Sequence, residues 1–97
     1  MESLSIQMLE EVTDASLIKA FKACSQLRTI FIHNCPRVTN SIIRPIASYC
    51  INLRSLDFRG AHDFLHLGMN NLFKHIPGHV VYVSSNHVIF RRSRVIL

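Results

Sequence analysis

Residues 12–37, VTDASLIKAFKACSQLRTIFIHNCPR, are followed by residues 38–63, VTNSIIRPIASYCINLRSLDFRGAHD, and the second stretch rewrites the first at a spacing of 26. Val12-Thr13-Asp14 returns as Val38-Thr39-Asn40. Leu17 returns as Ile43, Ala20 as Ile46, Phe21 as Ala47 and Cys24 as Cys50. Leu27-Arg28 returns as Leu53-Arg54, Ile30 as Leu56 and Ile32 as Phe58. A fixed period in the twenties marks a repeat array, in which each unit buries its apolar face against its neighbours.

Within each unit the hydrophobic period changes. Leu27, Ile30, Ile32 and Cys35 give L-x-x-L-x-L-x-x-C, matched by Leu53, Leu56, Phe58 and Ala61, and the central L-x-L alternates like a strand. Leu17, Ala20, Phe21 and Cys24, with Ile43, Ile46, Ala47 and Cys50, recur at three and four residues, which keeps one helical face apolar. Asp14 and Asn40 stand just ahead of those runs as candidate N-caps, since a short side-chain oxygen accepts from an orphan backbone N–H. The spacing predicts helices over 14–24 and 40–50 and strands over 30–32 and 56–58. Pro45 predicts an irregular start to the second helix, because it lacks an N–H and its ring clashes with the preceding turn.

The order C-x-x-L-x-x-L-x-L-x-x-C-x-x-V-T-[DN], running from Cys24 through Cys35 to Asn40 and closing at Cys50, resembles the cysteine-containing class of leucine-rich repeat. Repeats of this class are known from F-box/leucine-rich-repeat proteins, the substrate receptors of cullin-type (SCF) ubiquitin ligases. The resemblance implies an α/β fold: a short right-handed solenoid, or horseshoe, with parallel strands on its concave face and helices on its convex face. It also implies substrate recognition in ubiquitin-dependent degradation. Residues 1–11 are too few to hold an F-box, so adaptor binding is not carried over.

Outward from the two full repeats, Leu4 and Ile6 sit 26 residues before Ile30 and Ile32, so residues 1–11 read as the end of an earlier unit. Residues 64–86 read as a degenerate third unit, with Phe64, Met69, Leu72, Phe73 and Ile76 at apolar positions and Pro77-Gly78 ending its helix. A one-residue deletion then sets Val81 and Val83 at the L-x-L positions and Asn86 in the place of Cys35. Residues 87–97 fall outside the repeat as a basic, apolar tail: a C-terminal cap, an extra strand, or a segment foreign to the fold.

With 48% hydrophobic and 18% charged residues, the 97-residue chain is of ordinary globular composition. No apolar run approaches the roughly 18 residues of a membrane span, and no basic segment with an apolar core marks a secretory signal, so the cytoplasm or nucleus is expected. Cys24, Cys35 and Cys50 form an odd set without a C-x-x-C pair and fall on apolar repeat positions, which predicts small buried hydrophobes rather than disulfides or a zinc knot. The net charge of +5 is polarised: residues 1–14 carry Glu2, Glu10, Glu11 and Asp14 and no base, whereas residues 64–97 carry Lys74, Arg91, Arg92 and Arg94 and no acid.

If the strands stack in parallel, the residues between the inward leucine-type positions line one continuous surface. The central row is predicted to be Ser5, Phe31, Asp57 and Tyr82, and the next row Gln7, His33, Arg59 and Ser84, with Thr29 and Ser55 on the other side. Phe31, His33, Asp57, Arg59 and Tyr82 are therefore the candidate partner-binding residues, since aromatics and arginine anchor protein interfaces. Arg28 and Arg54 predict a ladder along one edge, able to hold acidic groups or simply to be solvated.

Catalytic and metal sites are not expected. His62-x3-His66 and His75-x3-His79 have helical spacing but no further ligands, and Pro77 interrupts the second pair. Cys35 falls at an inward turn position of the repeat while His33 faces the other side, so the two form no nucleophile–base pair. No motif implies a cofactor or an enzyme. The expectation is a protein-recognition module; a basic nucleic-acid-binding segment using Arg54, Lys74, Arg91, Arg92 and Arg94 ranks below it, beside a repeat fragment without activity of its own.

Overall fold

The repeat spacing reappears as the hydrogen-bonding register of a sheet. The structure, a computed structural model, describes residues 2–60, 79–83 and 87–91. Strand β1 (Ser3–Gln7) leads to helix α1 (Asp14–Ala23) and strand β2 (Thr29–His33), then to a 3-10 turn (Asn40–Ile42), helix α2 (Ile43–Tyr49) and strand β3 (Ser55–Arg59). Strands β4 (His79–Val83) and β5 (His87–Arg91) complete a mixed five-stranded sheet of order β1-β2-β3-β5-β4. Ser3 pairs with Thr29 and Thr29 with Ser55, both in parallel, so moving one repeat along the chain moves one strand across the sheet.

The connections repeat as faithfully as the strands. Cys24 and Cys50 each close their helix by donating N–H to the carbonyls of Ala20 and Ile46, at 3.0 and 2.9 Å. Leu27 and Leu53 then donate back to the carbonyls of Cys24 and Cys50. At the other end of the strands, Met8 and Asn34 both adopt φ 56°, and their N–H groups reach the carbonyls of His33 and Arg59 at 2.9 Å. Left-handed backbone suits asparagine and is unfavourable for methionine. The turn therefore holds at position 8 in spite of its residue.

Strands β2, β3 and β5 bury alternate residues. Ile30, Ile32, Leu56, Phe58, Val88 and Phe90 join Leu17 and Phe21 of α1 and Ile43 and Ile46 of α2 in one apolar cluster, with Leu4 and Ile6 packed at its margin. No polar side chain is buried among the described residues. Burying ten such side chains at about 1.5–3 kcal/mol each supplies the main driving force for the layered arrangement of helices on one sheet face. Cys35 and Cys50 lie fully inside this cluster and Cys24 at its edge, all as free thiols.

Two predicted caps fall elsewhere. Thr13, not Asp14, caps α1: its hydroxyl accepts from the Ser16 N–H at 3.3 Å, and the Ser16 hydroxyl accepts from the Thr13 N–H at 3.0 Å. Asp14 opens the helix as its first residue and reaches across to the following unit. Its carboxylate accepts from the Thr39 N–H at 2.7 Å and from the Thr39 hydroxyl at 2.5 Å. Asn40 does not cap α2 either, because the 3-10 turn intervenes and Ile42 takes the cap position without a side-chain bond. Pro45 then falls in the first helical turn, where a missing N–H leaves no hydrogen bond unmade.

The C-terminal part departs further from the expectation of parallel strands throughout. β4 does not lie beside β3. β5, within the segment read as a tail, occupies that place and runs antiparallel to both β3 and β4. Its alternation explains the insertion: Val88 and Phe90 complete the apolar face, and both are fully buried. The expected helix of the degenerate unit, the strand-end residues Ser84 and Asn86, and residues 92–97 lie outside the described residues. Among the described residues no helix is long and apolar enough to cross a membrane.

Candidate functional site on the open face of the sheet

The residues that alternate away from the helices form the opposite face. Register aligns them in rows: Gln7, His33, Arg59 and His87; Ser5, Phe31, Asp57 and Ile89; and Ser3, Thr29, Ser55 and Arg91, with the backbone of β4 pairing Tyr82 to Ile89 and His79 to Arg91. The predicted partner-binding residues Phe31, His33, Asp57 and Arg59 thus share one face on adjacent strands. Tyr82 keeps its row but is set one strand further out, with Ile89 between it and Asp57 and a register irregularity beside it.

Asp57 is the centre of the arrangement. It lies two residues before Arg59 on β3, while His33 and His87 pair with Arg59 from either side. Both histidines are thus diagonal neighbours of Asp57, at a separation that long side chains span. Their Nε2 atoms converge on one carboxylate oxygen, Oδ1, at 2.7 Å for His33 and 2.8 Å for His87. All three side chains are largely shielded, with relative exposures of 16% for His33, 24% for Asp57 and 15% for His87. Burial raises the Asp57 carboxyl, but hydrogen bonds to both rings and their coulombic pull outweigh it and hold the group below the usual carboxylate value.

Aromatic contacts extend the cluster. Phe31 stacks on His33 with ring centroids 3.9 Å apart and planes inclined by 26°, and His33 meets the edge of His87 at 5.6 Å. Phe31 is half-buried rather than fully exposed, because the His33 ring covers part of it. In the adjoining row the Arg91 guanidinium donates to the Ser55 hydroxyl. Arg59, Arg28 and Arg54 are exposed.

No protein-family model, curated protein or solved structure matches the chain. The site therefore rests on its own geometry.

Sequence reading missed His87, Ile89 and Arg91, which belong to the face only because β5 pairs with β3. The signal was the apolar alternation of Val88 and Phe90, which puts His87, Ile89 and Arg91 on the other side of a strand. Of the histidines weighed for metal, His62, His66 and His75 lie outside the described residues, and His79 belongs to the outer strand β4. The nitrogen and oxygen ligands that do converge are those of His33, Asp57 and His87. Cys35 is buried, and its thiol donates to the backbone carbonyl of His33 at 3.7 Å, away from the imidazole. Of the basic residues weighed for nucleic acid, Arg91 is occupied with Ser55, and Lys74, Arg92 and Arg94 lie outside the described residues.

Proposed function

We propose that the chain is a leucine-rich-repeat recognition module, part of a right-handed solenoid, that captures an acidic protein segment on the open face of its sheet. The 26-residue register and the left-handed turn residues Met8 and Asn34 at the same spacing support the repeat reading. The observation that carries the binding reading is the charge balance of the face. Within its rows the one carboxylate among the described residues, Asp57, is engaged by His33 and His87, whereas Arg59 stands exposed; at the strand starts the exposed Arg28 and Arg54 outnumber the one carboxylate in line with them, that of Glu2.

The mechanism is non-covalent. The half-buried Phe31, braced by His33, offers an apolar anchor, and the arginines select carboxylates and steer encounter. By resemblance, the captured segment is a substrate presented for ubiquitin-dependent degradation. Selection of displayed peptides on the immobilised chain tests this reading. Enrichment of Asp or Glu beside an apolar residue is expected, with capture lost on Phe31→Ala together with Arg59→Glu and the unfolding midpoint held. Equal capture by the wild type and that double variant refutes it.

A further inference from the structure

We propose that His33, Asp57 and His87 form a binding site for a divalent transition-metal ion of the zinc type. Each residue offers one ligand atom, and the three atoms lie within 4.8 Å of one another. In the tetrahedral site of a zinc ion, nitrogen and oxygen ligands at about 2.0–2.2 Å stand roughly 3.3–3.5 Å apart. The His33 and His87 nitrogens now sit 2.7 and 2.8 Å from Asp57 Oδ1 and within 4.8 Å of one another, so admitting an ion requires each His–Asp pair to open by less than about 1 Å and the two nitrogens to draw together by about 1–1.5 Å. Small rotations of side chains with partial access to solvent supply that movement.

The donor set defines the kind of ion. Two imidazoles and one carboxylate suit zinc, cobalt, nickel, copper or ferrous iron, whereas calcium and magnesium take oxygen ligands. Thiols do not compete at this site, because Cys35 and Cys50 lie on the buried side of the sheet. The three ligands come from three adjacent strands whose inward residues, including Ile32, Phe58 and Val88, are fully packed. A site carried on such a layer is held in place by its scaffold. Arg59 shares the row with both histidines, but it is exposed, so its charge acts on the ion through solvent. Three protein ligands leave a fourth position for water.

The test is titration of the full chain with cobalt(II), read by its visible absorption, followed by displacement with zinc. One equivalent should bind in a four-coordinate spectrum. His33→Gln, His87→Gln and Asp57→Asn should each weaken binding by more than the roughly 10–100-fold that losing a supporting hydrogen bond costs. His75→Gln with His79→Gln should leave it unchanged. X-ray absorption of the zinc-loaded wild type, which does not depend on any variant folding, should show nitrogen and oxygen ligands and no sulfur. Absence of binding, binding that survives loss of both His33 and His87, loss of binding in the His75/His79 variant, or sulfur in the metal shell overturns the proposal.

Discussion

Asp14→Ala tests whether neighbouring repeats are coupled through a polar bridge as well as through the core. Asp14 stands at the start of α1 and accepts two hydrogen bonds from Thr39, one repeat on, at 2.7 and 2.5 Å. Hydrogen bonds to a charged group contribute about 1.5–3 kcal/mol each, but both partners are half-buried, so water replaces part of what is lost. The carboxylate also favours the helix N-terminus by about 0.3–1 kcal/mol. A total loss of about 2–3 kcal/mol is expected from these terms. In urea, with a slope of about 1–2 kcal/mol/M, that lowers the unfolding midpoint by roughly 1–3 M. Thr39→Ala alone removes the hydroxyl, which also accepts from the Ser41 N–H at 3.1 Å, and should cost about 1–2 kcal/mol, of which only the Ser41 share of roughly 0.5–1 kcal/mol remains in the Asp14→Ala background. A cost for Asp14→Ala below about 0.5 kcal/mol, the range of surface substitutions that break nothing, refutes the bridge. Additive costs for the two changes refute it equally.

Met8→Gly should stabilise the chain by about 0.5–1 kcal/mol in the same urea assay, since the left-handed φ of 56° strains methionine and its side chain is 68% exposed, with little packing to lose. Stability should also depend on pH through two groups, measured as differences between wild type and variant. The Asp57 carboxyl is held below its ordinary 3.8, so its contribution is complete above that pH and is lost as pH falls through the folded value; Asp57→Asn should remove this acid dependence. Burial, with the Cys24 charge second, raises the Cys50 thiol from 9.0 to about 11, so the folded state keeps a proton that the unfolded state gives up. Stability is then lost as pH rises from 9.0 towards about 11, and Cys50→Ala should remove that part of the decline. Thiol alkylation at pH 8 should accordingly modify Cys24, half-buried, ahead of the fully buried Cys50.

The parallel part of the fold was legible because one repeat distance sets two things at once. Residues 26 apart occupy the same place in consecutive units, so the apolar pattern of Leu4, Ile30 and Leu56 fixes strand register as well as burial. The α1 cap was misplaced by one residue because Thr13 and Asp14 are both good cap formers in local sequence. The reciprocal Thr13–Ser16 bonds were readable from their spacing, whereas the attraction of Asp14 to Thr39 depends on packing between units. The Pro45 conflict correctly announced an irregular start, and the chain resolves it by winding a 3-10 turn first. Phe31, His33, Asp57 and Arg59 were placed on one face by alternation together with the parallel stacking that the repeat resemblance implies. His87 was not, because alternation assigns a residue to a face but names no neighbouring strand.

The pairing of β5 therefore decides what the open face can do. Burial of Val88 and Phe90 forbids a slip by one residue, which would turn both toward the open side. A slip by two residues keeps them facing the core, so apolar burial settles only the parity of the register. Polar contacts separate the remaining choices: the observed pairing of Arg59 with His87 puts His87 diagonal to Asp57 and Arg91 opposite Ser55. Both contacts form, His87 to the carboxylate and Arg91 to the hydroxyl. Shifting the strand by two residues in either direction would change both partnerships. The polar groups of the candidate site thus also help select the register that assembles it, and the antiparallel strand brings a second histidine to a carboxylate that the parallel repeats supply with one.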